Sequence, residues 1–296
     1  MATRTRLQIA KADIFQRFEE FPSKVFRQAD IARILTQERS FWRLAQRTNT
    51  DAFIDFLVRA GRLKRYIFNF PSRPVHAYAW GDVPLVEILL SLRPRSFLSY
   101  FTAVRIHGLT EQVPKTYYVT HEPTLHNARA RGSLAQEGID AAFRKPERST
   151  QEVVDYQDNR ICLINGAGTN MLGVIETQTS TDTGATANVS VTNVERTLID
   201  ITVRPGYSGG VGEVLKAFHE AKNKASTNRL RATLETLEYV YPYHQAIGFY
   251  LERAGYSSSA VDLFRQMPQP FRFYLSHGMS ETEYVRDWNL CIPKGL

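Results

Sequence analysis

The chain has 296 residues, of which 43% are hydrophobic and 23% are charged. This composition excludes a disordered chain, and no apolar run approaches the roughly 18 residues that a membrane-spanning helix needs. The net charge of +7 comes from the N-terminal quarter: residues 1–80 hold 15 Lys and Arg against 7 Asp and Glu, whereas residues 81–296 hold 22 against 23.

The N-terminal quarter has a clear pattern of secondary structure. Apolar residues at helical spacing predict three helices, around residues 14–21, 31–35 and 53–60, and the last ends at Gly61. Two strand-like segments, 62–68 and 75–80, follow around a proline-containing loop and predict a hairpin. Three helices and a hairpin are typical of a winged helix-turn-helix, which we expect over residues 1–80. Its basic surface suits double-stranded DNA, because each neutralised phosphate releases a counterion, although a purely protein-binding module stays open.

A winged helix places the start of its third helix in the major groove and its hairpin along the backbone or the minor groove. Short polar side chains stand at that helix start, and cationic side chains lie along the hairpin. Three further arginines recur every four residues and form one basic stripe if residues 38–47 are helical. Asp51 and Asp55 fit such a surface poorly, and they indicate either an interaction with the helix dipole or docking dominated by the hairpin. The predicted DNA contacts are Arg39, Arg43, Arg47, Asn49, Thr50, Arg62, Lys64, Arg65 and Arg73.

Residues 81–296 predict a larger domain of the α+β class. Helices are expected near 84–92 and 96–108, the second with Ser96 as its N-cap, and again beyond residue 193. Short strands are expected at 116–120, 160–164, 171–179 and 188–192 and near the C-terminus. The stretch 121–150 is polar and rich in arginine, and it predicts long loops. Strands grouped before and after a helical run are typical of an α+β domain.

The segment NVERTLIDI (193–201), followed by RPGYSGG (204–210), sets charged residues into an apolar run. It is open to two interpretations: a catalytic carboxylate pair beside a phosphate-binding loop, or a capped helix with an internal ion pair. The spacing favours the helix. Thr192 and Glu195 stand at capping-box spacing, and Arg196 and Asp200, at i and i+4, form a weak pair if they are exposed.

No nucleophile motif, nucleotide-binding loop or metal-ligand spacing stands out, so we expect no enzyme activity, no cofactor and no metal site. Cys162 and Cys291 are expected to be buried thiols of a cytoplasmic protein, because a disulfide framework or a zinc site needs more ligands. The N-terminus has no signal-peptide pattern. Carboxylates such as Asp155 and Glu176 are scattered along the sequence. They leave open the alternative that the protein is a metal-dependent nuclease, which a winged helix directs to DNA.

Three segments carry a resemblance to a known family: SYFTAVRIHGLTEQVP (99–114), VTNVERTLIDITVRPGYSGGVGEVLKAF (191–218) and RLRATLETLEYVYPYHQAIGFYLERAGY (229–256). Together with the predicted winged helix, they look like the AbiEi family of bacterial antitoxins and transcriptional regulators, from type IV toxin–antitoxin pairs of abortive infection. The resemblance covers roughly the whole chain.

The resemblance implies a repressor that binds inverted repeats in its own promoter. It also implies that the C-terminal domain neutralises a nucleotidyltransferase-like toxin encoded nearby. Positive charge on the C-terminal domain aids DNA binding in the family, and here the arginines between 129 and 148 offer such a patch. A stand-alone transcriptional regulator has the same sequence features.

Overall fold

The fold is a mixture of helices and strands, as the sequence predicts. The computed structural model describes residues 5–113, 115–124, 134–181 and 184–296. The chain divides into two compact units, residues 1–96 with 178–189 and residues 97–177 with 190–296. Among the described residues, no helix has both the length and the hydrophobicity needed to cross a bilayer.

The N-terminal unit contains the three helices and the hairpin that the sequence predicts. A strand of two residues joins the hairpin in an antiparallel sheet with the strand order β1-β3-β2. The elements are α1 (Arg6–Ile9), α2 (Lys11–Glu20), β1 (Val25–Phe26), α3 (Gln28–Glu38), α4 (Thr50–Arg59), β2 (Leu63–Asn69), β3 (Pro74–Trp80) and α5 (Leu85–Leu90).

Aromatic and branched side chains from all three longer helices form the core of this unit. Phe18 of α2 stacks on Trp80 of β3 with ring centroids 4.9 Å apart. Helix α4 buries Phe53, Ile54 and Leu57 on one face, which is the spacing that predicts an amphipathic helix. Gly61 follows α4 with φ at 78°, so the predicted left-handed helix stop is confirmed.

The C-terminal unit combines helices with most of a six-stranded sheet, whose strand order is β6-β7-β5-β4-β9-β8. Strands β5 and β7 pair in parallel, and β6 pairs with β7 in antiparallel. A second sheet has the order β10-β12-β11. The strands are β4 (Ser96–Leu98), β5 (Thr116–His121), β6 (Val153–Tyr156), β7 (Asn159–Asn165), β8 (Val174–Ser180), β9 (Thr186–Thr192), β10 (Phe273–Tyr274), β11 (Thr282–Val285) and β12 (Leu290–Pro293).

One long helix, α8 (Val194–Val203), is buried along almost its whole length. It belongs to the same core as the helices around it. The other helices are α6 (Tyr100–Ile106), α7 (Gln136–Phe143), α9 (Val211–Glu220), α10 (Thr227–Leu237), α11 (Tyr243–Arg253) and α12 (Ser258–Arg265), with short 3-10 helices at Pro205–Ser208 and Arg286–Trp288.

Two sequence predictions for residues 81–296 are wrong. Ser96 does not cap a helix: it begins strand β4, because Phe97 and Leu98 are buried, and α6 starts after Ser99. The stretch 121–150 is not all loop, since α7 buries Ile139 and Phe143 on one face. Short apolar runs are ambiguous between helix and strand, and polar helices with few apolar residues resemble loops.

Candidate nucleic-acid interface

Residues 38–47 are not one helix, so the condition under which Arg39, Arg43 and Arg47 would form a basic stripe is not met. Helix α3 ends at Glu38. The next turn closes with two hydrogen bonds, from Leu44 N–H to the Arg39 carbonyl (3.0 Å) and from Arg43 N–H to the Ser40 carbonyl (3.1 Å). These are the two bonds of a Schellman motif. Arg43 occupies its left-handed position, with φ at 52°.

We call residues 39–49 the α3–α4 loop. Trp42 and Leu44 are buried, and the Trp42 ring stacks on Phe53 of α4 at 5.7 Å. Arg39 donates to the carbonyls of Ala45 (2.7 Å) and Thr48 (2.9 Å). Its guanidinium is therefore a brace for the loop, because two of its donors hold the backbone.

The α3–α4 loop has one large apolar side chain and two arginines among its exposed residues. Phe41 is 72% exposed, and Arg43 and Arg47 of the same loop are exposed as well. The backbone carbonyl of Arg43 accepts a hydrogen bond from Arg6 of α1 (3.4 Å), which adds another cation to this surface. Sequence reasoning missed Phe41, because the adjacent Phe41 and Trp42 give no sign of which one is buried.

Asn49 and Thr50 stand at the start of α4, as predicted. Asn49 is the N-cap, and its Oδ1 accepts from Ala52 N–H at 2.8 Å. While it caps the helix, that oxygen is engaged, so the side-chain amide can donate to DNA but cannot make the bidentate contact that asparagine makes with adenine. Thr50 is the first helical residue and is half-buried.

The two aspartates of α4 have partners within the protein. Asp55 accepts from Arg65 at 2.6 Å, and Asp51 accepts from Gln28 at 2.8 Å. They therefore do more than balance the helix dipole. The outer face of α4 carries both carboxylates, so it is a poor match for phosphate.

Three cations of the hairpin region lie near a carboxylate, and a fourth, Arg73, has no carboxylate partner among the described residues. Arg62 lies 3.9 Å from Glu19, Lys64 pairs with Asp82, and Arg65 pairs with Asp55. The hydrogen bond and charge of Lys64 lower the pKa of Asp82. Arg73 lies in the hairpin tip, residues 70–73, and is exposed.

Several cations of the N-terminal unit have no carboxylate within ion-pair distance in the part of the chain that the structure describes. By contrast, Glu19, Glu20, Asp30, Glu38 and Asp55 all contact a cation. The positive charge that no carboxylate offsets therefore lies mainly on the α3–α4 loop, at the helix ends and at the hairpin tip. The unpaired cations are Arg6, Lys11, Arg39, Arg43, Arg47, Arg59 and Arg73.

The charged residues of α8 form a second candidate site, and the structure corrects the prediction for them. The N-cap is Asn193, which accepts from Arg196 N–H, and Glu195 instead accepts from Ser226 N–H at 2.9 Å. The predicted capping box of Thr192 and Glu195 is therefore wrong. Glu195 lies at the N-terminus of another helix, α10.

The Arg196–Asp200 pair is not on an exposed face. The two side chains are 8% and 6% exposed, and Arg196 Nε donates to Asp200 at 2.8 Å. Arg196 also donates to the Leu172 carbonyl at 2.8 Å, while the buried carboxylate of Glu122 accepts from the backbone of Thr169 and Met171. Burial raises the pKa of Asp200 and the charge of Arg196 opposes this rise. Each of these charged groups therefore has a hydrogen-bond or ion-pair partner within the protein.

The carboxylates of the nuclease hypothesis have protein partners as well. Asp155 pairs with Arg160 at 3.0 Å, and Glu176 accepts from Ser190. Within the described ranges, no group of three or more His, Cys, Asp or Glu residues is placed to hold a metal ion. Of the arginines between 129 and 148, Arg144 and Arg148 are exposed, whereas Arg129 and Arg131 lie outside the described residues.

No family model matches the chain, and no curated protein matches it in sequence. Among solved structures, the chain is similar to the RV2827C protein from Mycobacterium tuberculosis, with a TM-score of 0.55 over 96% of this chain and 91% of that one. The two sequences are 13% identical. The likeness is therefore one of fold alone.

Proposed function

We propose that this chain is a DNA-binding transcriptional regulator whose residues 1–80 form a winged helix-turn-helix. The order of elements supports this assignment: α2, α3 and α4 are followed by the antiparallel hairpin of β2 and β3. In such a domain the N-terminus of the third helix meets the major groove.

The observation that carries the proposal is the distribution of unpaired cations. Arg43 and Arg47 lie in the braced loop that leads into α4, and Arg73 lies at the hairpin tip. Exposed arginines without carboxylate partners are free to neutralise phosphates. The basic surface therefore coincides with the two parts of a winged helix that contact DNA.

The same distribution of unpaired cations supports a more specific proposal about which parts of the domain contact DNA. Because Asp51 and Asp55 occupy the outer face of α4, we infer that the loop before α4 and the hairpin tip make most of the contacts. Arg62, Lys64 and Arg65 contribute less than predicted, since a carboxylate lies against each of them. Arg39 acts by holding the loop.

We further propose that the regulator represses its own operon and acts as an antitoxin of the AbiEi kind. The support is the resemblance of residues 99–114, 191–218 and 229–256. Its partner is a nucleotidyltransferase-like toxin encoded nearby. Co-expression with that neighbouring gene tests this part: restored growth supports an antitoxin, and unrelieved toxicity leaves a stand-alone regulator.

The test of DNA binding starts with a selection. The whole chain is used to enrich duplexes from a random-sequence library, and the enriched duplex is titrated by fluorescence anisotropy at several salt concentrations. We expect log Kd to change linearly with log salt, with a slope of about 0.9 for each phosphate contacted. A flat salt dependence, or no enrichment, contradicts the proposal.

A control with Mg²⁺ or Mn²⁺ separates binding from cleavage. The enriched duplex is incubated with the protein and either metal ion, and its length is then measured. Intact DNA is expected of a regulator. Metal-dependent cleavage supports the nuclease instead.

A further inference from the structure

We propose that Phe41 reads thymine methyl groups in the major groove, while Arg43 and Arg47 of the same loop bind nearby phosphates. This inference rests on the proposed DNA binding and adds a specificity-determining residue to it. Its basis is the exposure of Phe41, the rigidity of the α3–α4 loop and the conformation of Arg43.

Phe41 is exposed although its neighbours in the loop are well packed. Its ring is 72% exposed, whereas Trp42 next to it is 3% exposed. With Trp42 on Phe53 and the Arg39 guanidinium on two loop carbonyls, the backbone is held at both ends of the loop. The loop therefore presents Phe41 in a fixed position, and little conformational entropy is lost when a ligand covers it.

The backbone conformation of Arg43 is consistent with a functional role for this loop. It occupies the left-handed position of the Schellman motif, where glycine is the usual residue because a Cβ is unfavourable there. An arginine in this position costs stability relative to glycine, and backbone strain of this kind is concentrated at functional sites. Arginine supplies an exposed guanidinium at this position, which glycine cannot do.

The charge around Phe41 favours DNA over a second copy of the chain. A two-fold interface sets the same patch against itself, which would place Arg6, Arg43 and Arg47 opposite their own copies without compensating carboxylates. A polyanion removes that repulsion.

The position of the loop points to the thymine methyl. The loop leads directly into α4, whose N-terminus enters the major groove in the proposed domain. The thymine methyl is the apolar group that base pairs present in this groove, and phenylalanine is among the side chains that contact it.

The experiment compares wild type and Phe41→Ala on two versions of the enriched duplex. One version contains thymine, and the other contains uracil at every thymine and so lacks the methyl groups. For the thymine duplex, we expect Phe41→Ala to bind about tenfold more weakly, with an unchanged salt slope. Replacement by uracil should weaken the wild type and leave Phe41→Ala unaffected.

Two matched variants complete the design. Val113→Ala removes an apolar side chain of similar exposure, 65%, from the C-terminal unit, and it should bind both duplexes as the wild type does. Arg43→Gly relieves the left-handed strain, so its urea unfolding midpoint should be unchanged or higher. Its salt slope should fall by about 0.9.

Equal binding of the thymine duplex by wild type and Phe41→Ala overturns the inference, and so does equal weakening of both proteins by uracil. Conversion of a dimer to a monomer by Phe41→Ala, seen by sedimentation, would assign the residue to a second copy. Loss of binding to phosphatidylserine vesicles with unchanged DNA binding would assign it to a lipid surface. Either result overturns the inference. A wild type that binds no duplex contradicts the proposed function itself.

Discussion

The exposed arginines of the N-terminal unit and the charged residues of helix α8 in the C-terminal unit lie in opposite environments. In the N-terminal unit, Arg43, Arg47 and Arg73 are exposed and have no carboxylate partner among the described residues. In the C-terminal unit, Glu195, Arg196 and Asp200 are buried in one helix and have partners. Environment therefore determines the role of an arginine: a buried one is committed to the fold, and an exposed unpaired one is available to a ligand.

The largest expected effect is that of Arg196→Ala. It leaves the buried Asp200 without its ion-pair partner, and breaking a buried pair in this way costs about 3–5 kcal/mol. Urea unfolding measures the loss. Arg196→Met combined with Asp200→Leu should recover most of it, because an apolar pair leaves no uncompensated charge. A loss below about 1 kcal/mol, the range of surface pairs, would show that the cluster is not a structural core.

The next largest expected effect is a loss of unfolding free energy from overpacking inside the C-terminal unit. A Cβ added at Gly248 of α11 would lie 2.1 Å from the Trp288 ring, so Gly248→Ala should cost about 1–3 kcal/mol by overpacking. Gly212→Ala in α9 is the control, since nothing lies within 4 Å of its added Cβ and alanine favours a helix. Equal stability of the two variants would argue against this packing.

In the N-terminal unit, removal of the N-cap of α4 should cause a smaller loss of unfolding free energy. Asn49→Ala removes the hydrogen bond to Ala52 N–H and should cost about 1 kcal/mol of unfolding free energy. Asn49→Ser keeps a capping oxygen but removes the amide donor, so it should unfold as the wild type does. If its DNA affinity is also unchanged, the amide does not contact DNA and Asn49 serves the helix alone.

Two carboxylates, one in each unit, should contribute pH dependences of stability that are opposite in sign. Burial alone would raise the pKa of Asp30, but hydrogen bonds and charge from Arg27 and Arg33 lower it. Asp30 therefore stabilises the fold above its unfolded pKa, and this contribution is lost as the pH falls through the folded value. Burial raises the pKa of Glu147, against the Gly206 N–H and the charge of Arg204. The native state then holds this proton more tightly, so stability falls as the pH rises through the interval above the unfolded pKa.

Urea unfolding of Asp30→Asn and Glu147→Gln across pH 3–7, each compared with wild type, checks both signs. The difference between wild type and Asp30→Asn should shift in favour of wild type as the pH rises. The difference between wild type and Glu147→Gln should shift the opposite way. Shifts of the same sign would contradict the assigned environments.

The sequence predicts the regular elements of the N-terminal unit well. Phe53, Phe56 and Leu57 repeat at helical spacing, and Gly61 marks the helix end, because these signals are local. The left-handed turn at Arg43 has no such signal, since glycine is the usual residue there. Two adjacent aromatic residues, Phe41 and Trp42, likewise give no indication of which one is exposed.

Spacing also cannot show whether a charged pair is buried. Arg196 and Asp200 have the i, i+4 spacing of a surface pair. Their burial depends on the strands and helices that surround α8, which are distant in the sequence. For the same reason, the partners of Lys64 and Arg65 could not be read from the residues of the hairpin.

The proposal that unpaired cations of the α3–α4 loop bind DNA is tested most directly with two double variants of equal charge. The measurement is the salt dependence of their binding to the duplex. Arg43→Ala with Arg47→Ala removes two cations from the α3–α4 loop, and Lys222→Ala with Arg253→Ala removes two exposed cations from the C-terminal unit. We expect the slope of log Kd against log salt to fall by about 1.8 for the loop variant and to stay at the wild-type value for the other. Equal slopes for the two variants would contradict the proposal that the α3–α4 loop binds DNA.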